Sequence, residues 1–350
     1  MFVNILILSV FKFLTLFENN KQLRKLLSVL IFILFCCLTL FRDNIGNDFS
    51  TYIYEASTYI NGRKQWDFSF LNLRSTDGYE LSWYFAMIFC NFIGSSYGVI
   101  LFYGIISCVF LGLLIKEKKI GPLGVYFLIL LGFHFMLWDQ IRQGTSLLIL
   151  LYAICKENKN KYFFFLFAIS FHLTSIIIIF LIFIPKIKYN FRLIYLIIIL
   201  IILIYDLNYK LILDFFQIYS IEDFASYKFN LESDIYSIIT TKKFYYRKIL
   251  FSIPIIILFY NKKYVIKQNE LLILFIGTII WLLGSGSLNF VRLGNYLIMY
   301  SIVQLVARNY KKNNFKLFVE LPLVFLLLFN IITGSLTQGS AIYYSIFNIN

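Results

Sequence analysis

Apolar runs divide this chain almost from end to end, near residues 2–17, 25–41, 81–93, 97–115, 123–138, 141–155, 162–184, 191–205, 249–260, 270–288, 291–307 and 316–332. Many are rich in Ile and Phe, which favour strands in water. A run placed in lipid must satisfy its own backbone hydrogen bonds, and that makes it a helix. Several runs fall short of the ~20 residues that cross a bilayer, so half-helices or interfacial segments are expected among them.

Composition supports the same reading. Sixty per cent of the residues are apolar, 14% are charged, and the mean hydropathy is +0.78. A soluble domain carries roughly 25% charged residues, so this chain lacks the polar surface to stay in water. Its 350 residues allow about ten to twelve spans joined by short loops. The expected fold is an all-α, polytopic integral membrane protein, a single membrane domain over residues 1–350. No polar block is long enough to form a separate soluble domain.

Thirty-two basic and 18 acidic residues give a net charge of +14. In a soluble protein that excess would suggest nucleic acid. Here Lys and Arg sit mostly in short loops between apolar runs, as the positive-inside bias requires, and no nucleic-acid partner is expected. Cys36, Cys37, Cys90, Cys108 and Cys155 all lie in apolar runs without CxxC spacing. They read as small core residues, neither disulfides nor zinc ligands. Residues 1–17 lack a basic n-region and a small-residue cleavage site, and read as a retained first span.

Two longer loops stand out, 42–80 and 206–246, both with acidic residues. Basic clusters at Lys21/Arg24/Lys25, Lys116–Lys119, Lys156–Lys161, Lys262–Lys267 and Arg308–Lys316 mark cytoplasmic ends. The tail after Asn330 carries no charge. Both long loops are therefore placed on the outer face. Lys186, Lys188 and Arg192 also look cytoplasmic, which the parity of crossings does not allow. Either a short run such as 81–93 or 191–205 fails to cross, or the charge rule is broken there.

Ionisable groups in or beside spans are costly and mark functional sites by default. Asp139-Gln140-Ile141-Arg142-Gln143 breaks two apolar runs. Arg142 stays charged and offers a planar fork of donors suited to phosphate. The alternative is a snorkelling arginine or a local pair with Asp139. His172 lies about ten residues into the run 162–184, ~15 Å along a helix and near mid-depth. It is either functional or a packing residue bonded to Thr174 or Ser175. Arg292, with Asn289, Asn295 and Tyr296, follows Gly284-Ser285-Gly286-Ser287, a plausible anion site at a helix break. Arg42, Asp43 and Asp48 lie just outside a span, leading to Tyr52. Glu80 and Trp83, where the chain re-enters apolar sequence, read equally as an interfacial anchor. GxxxxGK[ST], HExxH, GxSxG and a dinucleotide fingerprint are all missing, so ATP hydrolysis, zinc hydrolysis and serine-esterase chemistry have no support.

Arg42-…-Gly46-Asn47-Asp48-…-Tyr52 resembles the R-x-x-x-G-x-D-x-x-x-Y signature of the EpsG family of polysaccharide polymerases, relatives of the Wzy O-antigen polymerases. Glu80-Leu-Ser-Trp-Tyr-Phe with Asn91 is similar to that family's E-P-L-F-Y…N stretch, with Leu81-Ser82 departing from it. Ile141-Arg142-Gln143 followed by Phe171-His172-Leu-Thr-Ser resembles its I-R-Q…F-H-x-S-A pair, although Gly144-Thr145 stand where small apolar residues usually follow. Arg292-Leu-Gly-Asn-Tyr296 is similar to its late R-x-x-x-Y element. The resemblance spans roughly residues 40–300 in consistent order.

The resemblance implies a GT-C-like glycosyltransferase at the periplasmic face of the bacterial cytoplasmic (inner) membrane. It would transfer a glycan from undecaprenyl diphosphate to a hydroxyl of the next lipid-linked repeat unit, so donor, acceptor and membrane lipid are its ligands. A flippase and a chain-length regulator are the protein partners such a system implies. Cations stabilising the diphosphate leaving group should contribute most. Arg142 and Arg292 are the candidates, with Arg42 third. A base must accept the hydroxyl proton, and His172 and Asp48 remain equal candidates. Tyr52, Glu80, Gln143 and Tyr296 are expected to bind substrate. No metal, cofactor or nucleotide sugar is implied, because the donor carries its own activated diphosphate. An O-antigen ligase would share the arginine chemistry and differ in its acceptor. A flippase or transporter should show related halves, which this sequence lacks.

Overall fold

The structure is a computed structural model that describes residues 21–41, 49–61, 80–117, 141–156, 159–184, 192–204, 268–283 and 288–309, with single positions at 125, 249, 252 and 256. Among the described residues are ten helices and no strand: α1 (Lys21–Leu40), α2 (Phe49–Ile60), α3 (Leu81–Ile93), α4 (Gly98–Lys116), α5 (Ile141–Cys155), α6 (Asn160–Phe171), α7 (Ser175–Phe183), α8 (Arg192–Ile204), α9 (Gln268–Leu283) and α10 (Leu288–Asn309). Of these, α4 alone is long and apolar enough to cross a membrane by length and composition, and the rest include several shorter apolar helices. The apolar runs 2–17, 123–138, 249–260 and 316–332 and the second long loop, 206–246, lie outside the described residues apart from those single positions.

Two expectations change. The segment 42–80 is not simply a loop, because it contains the twelve-residue helix α2. Nor is the run 162–184 one helix. It breaks at His172, whose backbone is extended (φ −160°, ψ 125°), leaving α6 and α7 on either side.

The described residues form two compact units that divide between Ile179 and Phe180. In the first, α1 runs antiparallel to α4. Leu40 of α1 meets Gly104 of α4 and Phe32 meets Gly112, where an added Cβ would come within 2.8 and 3.1 Å of those side chains. Helices α4 and α5 run parallel. They touch through Ser107 and Thr145 (2.8 Å) and through Phe110 and Tyr152 (ring centroids 5.5 Å), and finally through an ion pair between Glu117 and Lys156 at their ends. That pairing holds the Lys156 ammonium above its ordinary pKa, chiefly through the bond to Glu117. The basic stretches that begin α1 and end α4 and α5 therefore share one end of the unit.

Helix α3 folds back on α4 through a tight turn. Gly94 caps it at φ 71°, a backbone conformation glycine adopts without steric cost, and donates its N–H to Asn91 O at 3.2 Å. Gly98 permits the close return, since a Cβ there would lie 2.9 Å from the Cys90 Cα. Ser82, at the other end of α3, reaches only as far along α4 as Tyr103 (3.0 Å). Helix α3 thus stays at the end of the unit opposite the basic stretches.

In the second unit, α9 and α10 pack closely at two glycines. A Cβ at Gly277 would sit 2.7 Å from Leu297 Cβ, and one at Gly294 2.6 Å from Trp281 Cβ. Small residues let helix backbones approach where lipid offers no hydrophobic drive between helices. Tyr195 of α8 stacks on Phe275 of α9 at 3.8 Å. Asn269 donates to the carbonyls of Ile182 and Ile184 at 2.6 and 3.1 Å, satisfying the end of α7.

Candidate functional site

Glu80 is the N-cap residue of α3, yet its carboxylate makes no cap bond to its own helix. It turns instead to Arg142, the second residue of α5, and the two form an ion pair. Their side chains are only 9% and 20% exposed. A charge withdrawn this far from water is tolerated when it is paired and hydrogen-bonded. Arg142 meets both conditions. It donates to the Glu80 carboxylate and lies 5.7 Å from the centroid of the Trp83 ring, within cation–π range.

The floor of the cluster is aromatic. Trp83 is fully buried and packs on Tyr52 at 5.7 Å. That burial corrects the reading of Trp83 as an interfacial anchor. Tyr103 is also fully buried, hydrogen-bonded to Ser82 and edge-on to Phe171 at 5.7 Å. Phe171 stacks in turn on Phe102 at 6.2 Å, so the last turn of α6 is held against α4.

His172 follows at the helix break. Its Nε2 lies 4.0 Å from Glu80 Oε1, while its Nδ1 takes the backbone N–H of Thr174 at 3.2 Å and contacts the Thr174 hydroxyl at 2.8 Å. Three buried groups fix the break to α5. Ser146 donates to Ala168 O at 2.8 Å and bonds to the Ser175 hydroxyl, while Ala168 O also accepts the His172 N–H at 3.1 Å. Ser146 is one turn beyond Arg142 on α5, so the helix that carries the cation also carries the clamp on the histidine segment.

Of the residues singled out from sequence, Tyr52, Glu80, Arg142 and His172 come together here. Gln143 is buried beside Arg142 on α5. Tyr296 is fully buried on α10, in the second unit. Arg292 and Asn289 lie within the first turns of α10, which follows the stretch 284–287, and their side chains lie outside the described residues. Arg42, Asp43, Asp48, Asp139 and Gln140 also lie outside them, as does the glycine-serine stretch before α10. Among the described residues no three His, Cys, Asp or Glu side chains gather to hold a metal ion. All five cysteines are free thiols.

Sequence reasoning missed Tyr103 and Ser146. Their only signal is a hydroxyl within an apolar run, spaced one helical turn from another polar residue in the case of Ser146.

Apolar helices enclosing a charged, hydrogen-bonded cluster at one end define a helical protein of the membrane class. The chain belongs to the EpsG family, whose model matches residues 25–347. That family is associated with exopolysaccharide biosynthesis. No curated protein and no solved structure matches the chain.

Proposed function

We propose that this chain is a polytopic polymerase of the cytoplasmic membrane that joins undecaprenyl-diphosphate-linked repeat units at the periplasmic face. The observation that carries the reading is the Arg142–Glu80 ion pair with His172 beside it, a cation, a carboxylate and an imidazole inside an apolar helical unit. The reaction requires a cation for the lipid diphosphate as it departs and an acceptor for the sugar hydroxyl proton. This cluster offers both within one site. Arg142 presents a planar fork matched to two phosphate oxygens.

The placement supports the outer face. The basic stretches of α1, α4 and α5 share one end of the unit, and the cluster lies toward the other. With the basic end in the cytoplasm, the site opens outward, and α3 remains on the outer side without crossing. That choice takes 81–93 as a run that fails to cross, one of the alternatives the charge pattern left open.

Deletion followed by electrophoresis of surface glycan tests the function. The expected result is loss of the long-chain ladder with one repeat unit retained on its carrier or core. Loss of all repeat units from the surface would instead indicate a flippase or a ligase.

A further inference from the structure

The hydrogen bonds around His172 determine where its proton sits. A backbone N–H can only donate, so the Thr174 N–H at 3.2 Å requires a lone pair on His172 Nδ1. A neutral imidazole with an accepting Nδ1 carries its hydrogen on Nε2. That is the nitrogen on the Glu80 side, 4.0 Å from Oε1. The Thr174 hydroxyl at 2.8 Å adds a second contact on the same accepting nitrogen. An imidazole held this way has no lone pair to offer toward Glu80 and Arg142. The acceptor there is the carboxylate.

From this geometry we infer that Glu80 is the catalytic base and that His172 presents an N–H on the same side without accepting a proton there. The inference rests on the polymerase reading of the site. In the transfer, the acceptor sugar hydroxyl gives its proton to a Glu80 oxygen while its oxygen forms the new bond to the anomeric carbon of the donor. The bond from that carbon to the diphosphate breaks, and the electron pair leaves with the lipid diphosphate. Arg142, paired with Glu80 in this structure, is the group that the arriving diphosphate engages. Sharing the guanidinium with phosphate loosens its hold on the carboxylate and leaves a Glu80 oxygen free to meet the acceptor hydroxyl. His172 Nε2 stays 4.0 Å from Glu80 Oε1, near enough to add positive edge potential but too far for a hydrogen bond.

Two measurements test this. The first is the nitrogen NMR spectrum of histidine-labelled protein in detergent, with His134→Gln leaving His172 as the single histidine. The expected spectrum has a pyridine-type Nδ1 and a pyrrole-type Nε2; a protonated Nδ1 overturns the assignment. The second is polymer made per unit of protein by membranes supplied with lipid-linked repeat units. His172→Gln removes no base on this reading and should stay within about tenfold of wild type, the scale of one weakened hydrogen bond such as the contact to Thr174. Glu80→Gln should lose roughly 10²–10⁴-fold, the usual cost of removing a general base, and Glu80→Asp should recover part of it. A His172→Gln protein that loses roughly 10²-fold or more at normal abundance makes His172 the base and sinks the proposal, as does an active Glu80→Gln protein. The NMR result does not depend on activity. Failure of the polymerase reading shows separately when the gene is deleted, as an unaltered ladder or as loss of every repeat unit from the surface.

Discussion

Arg142 and Glu80 stand 62 residues apart in sequence and form an ion pair in the first unit. The pair ties the start of α5 to the start of α3, two elements whose own apolar surfaces give no reason for a charge at that spot. Replacing a buried pair by apolar residues is often neutral for stability, whereas removing one partner strands the other. A charged pair here is therefore better explained by chemistry than by folding.

That distinction makes Arg142 testable. Arg142→Ala should lower protein abundance as well as activity, because Glu80 is left without its cation at a cost of roughly 3–5 kcal/mol. Arg142→Lys keeps the charge and should accumulate closer to wild type. It should still lose most chain extension, since a point charge does not reproduce the two-pronged grip on phosphate. Glycan ladders read against immunoblotted protein level separate the two effects. Full polymerisation by the Lys variant would remove Arg142 from the diphosphate site.

Ser146 offers a subtler change at a distance from the charges. Ser146→Ala deletes the buried bonds to Ala168 O and the Ser175 hydroxyl, at about 1 kcal/mol for a typical buried hydrogen bond. The protein should remain folded with a slightly lower melting temperature, and chain extension should fall several-fold as the His172 segment loosens. Wild-type activity in a correctly accumulated variant would mean that the clamp does not position the site.

In the second unit, Gly294→Leu should be more damaging than Gly94→Ala in the first. The added Cβ would meet Trp281 backbone nitrogen at 2.7 Å, and backbone cannot swing aside as a side-chain tip can. Overpacking of this kind costs typically 1–3 kcal/mol. Gly94→Ala, where space is open but φ is positive, should cost about 1 kcal/mol through backbone strain alone. Thermal unfolding of the purified variants in detergent should rank them in that order.

The helices were readable because apolar runs mark them directly. Runs 81–93 and 141–155 coincide with α3 and α5. The break at His172 was not, because neither Gly nor Pro interrupts the run there. Its trace is Thr174-Ser175 ahead of Ile176, the residue types that start helices, inside a stretch too apolar for two hydroxyls to stand out. Arg142 and Glu80 were visible as single charges, but their pairing depends on how α3 folds back along α4. Tyr103 was hidden for a different reason. In a chain with 26 tyrosines, one more tyrosine carries no contrast, and only its burial against Ser82 and Phe171 singles it out.

Orientation can be tested at three positions in the first unit. Asn61, just past α2, belongs to the segment placed outside, whereas Glu117 and Lys156 close the end that carries the basic stretches. With the native cysteines replaced, a cysteine at Asn61 should react with an impermeant thiol reagent in intact cells whose outer membrane has been permeabilised. Cysteines at Glu117 or Lys156 should react only after lysis, because the positive-inside bias holds their end in the cytoplasm. A fourth position, Gly94, decides the path of α3. It lies at the turn between α3 and α4, and a helix that stays on the outer side leaves that turn reachable from outside. Labelling of Gly94→Cys together with Asn61→Cys in intact cells is the expected pattern. Reaction at Gly94 only after lysis would mean that residues 81–93 cross the membrane, and the Arg142 cluster would then need a different route to the periplasm.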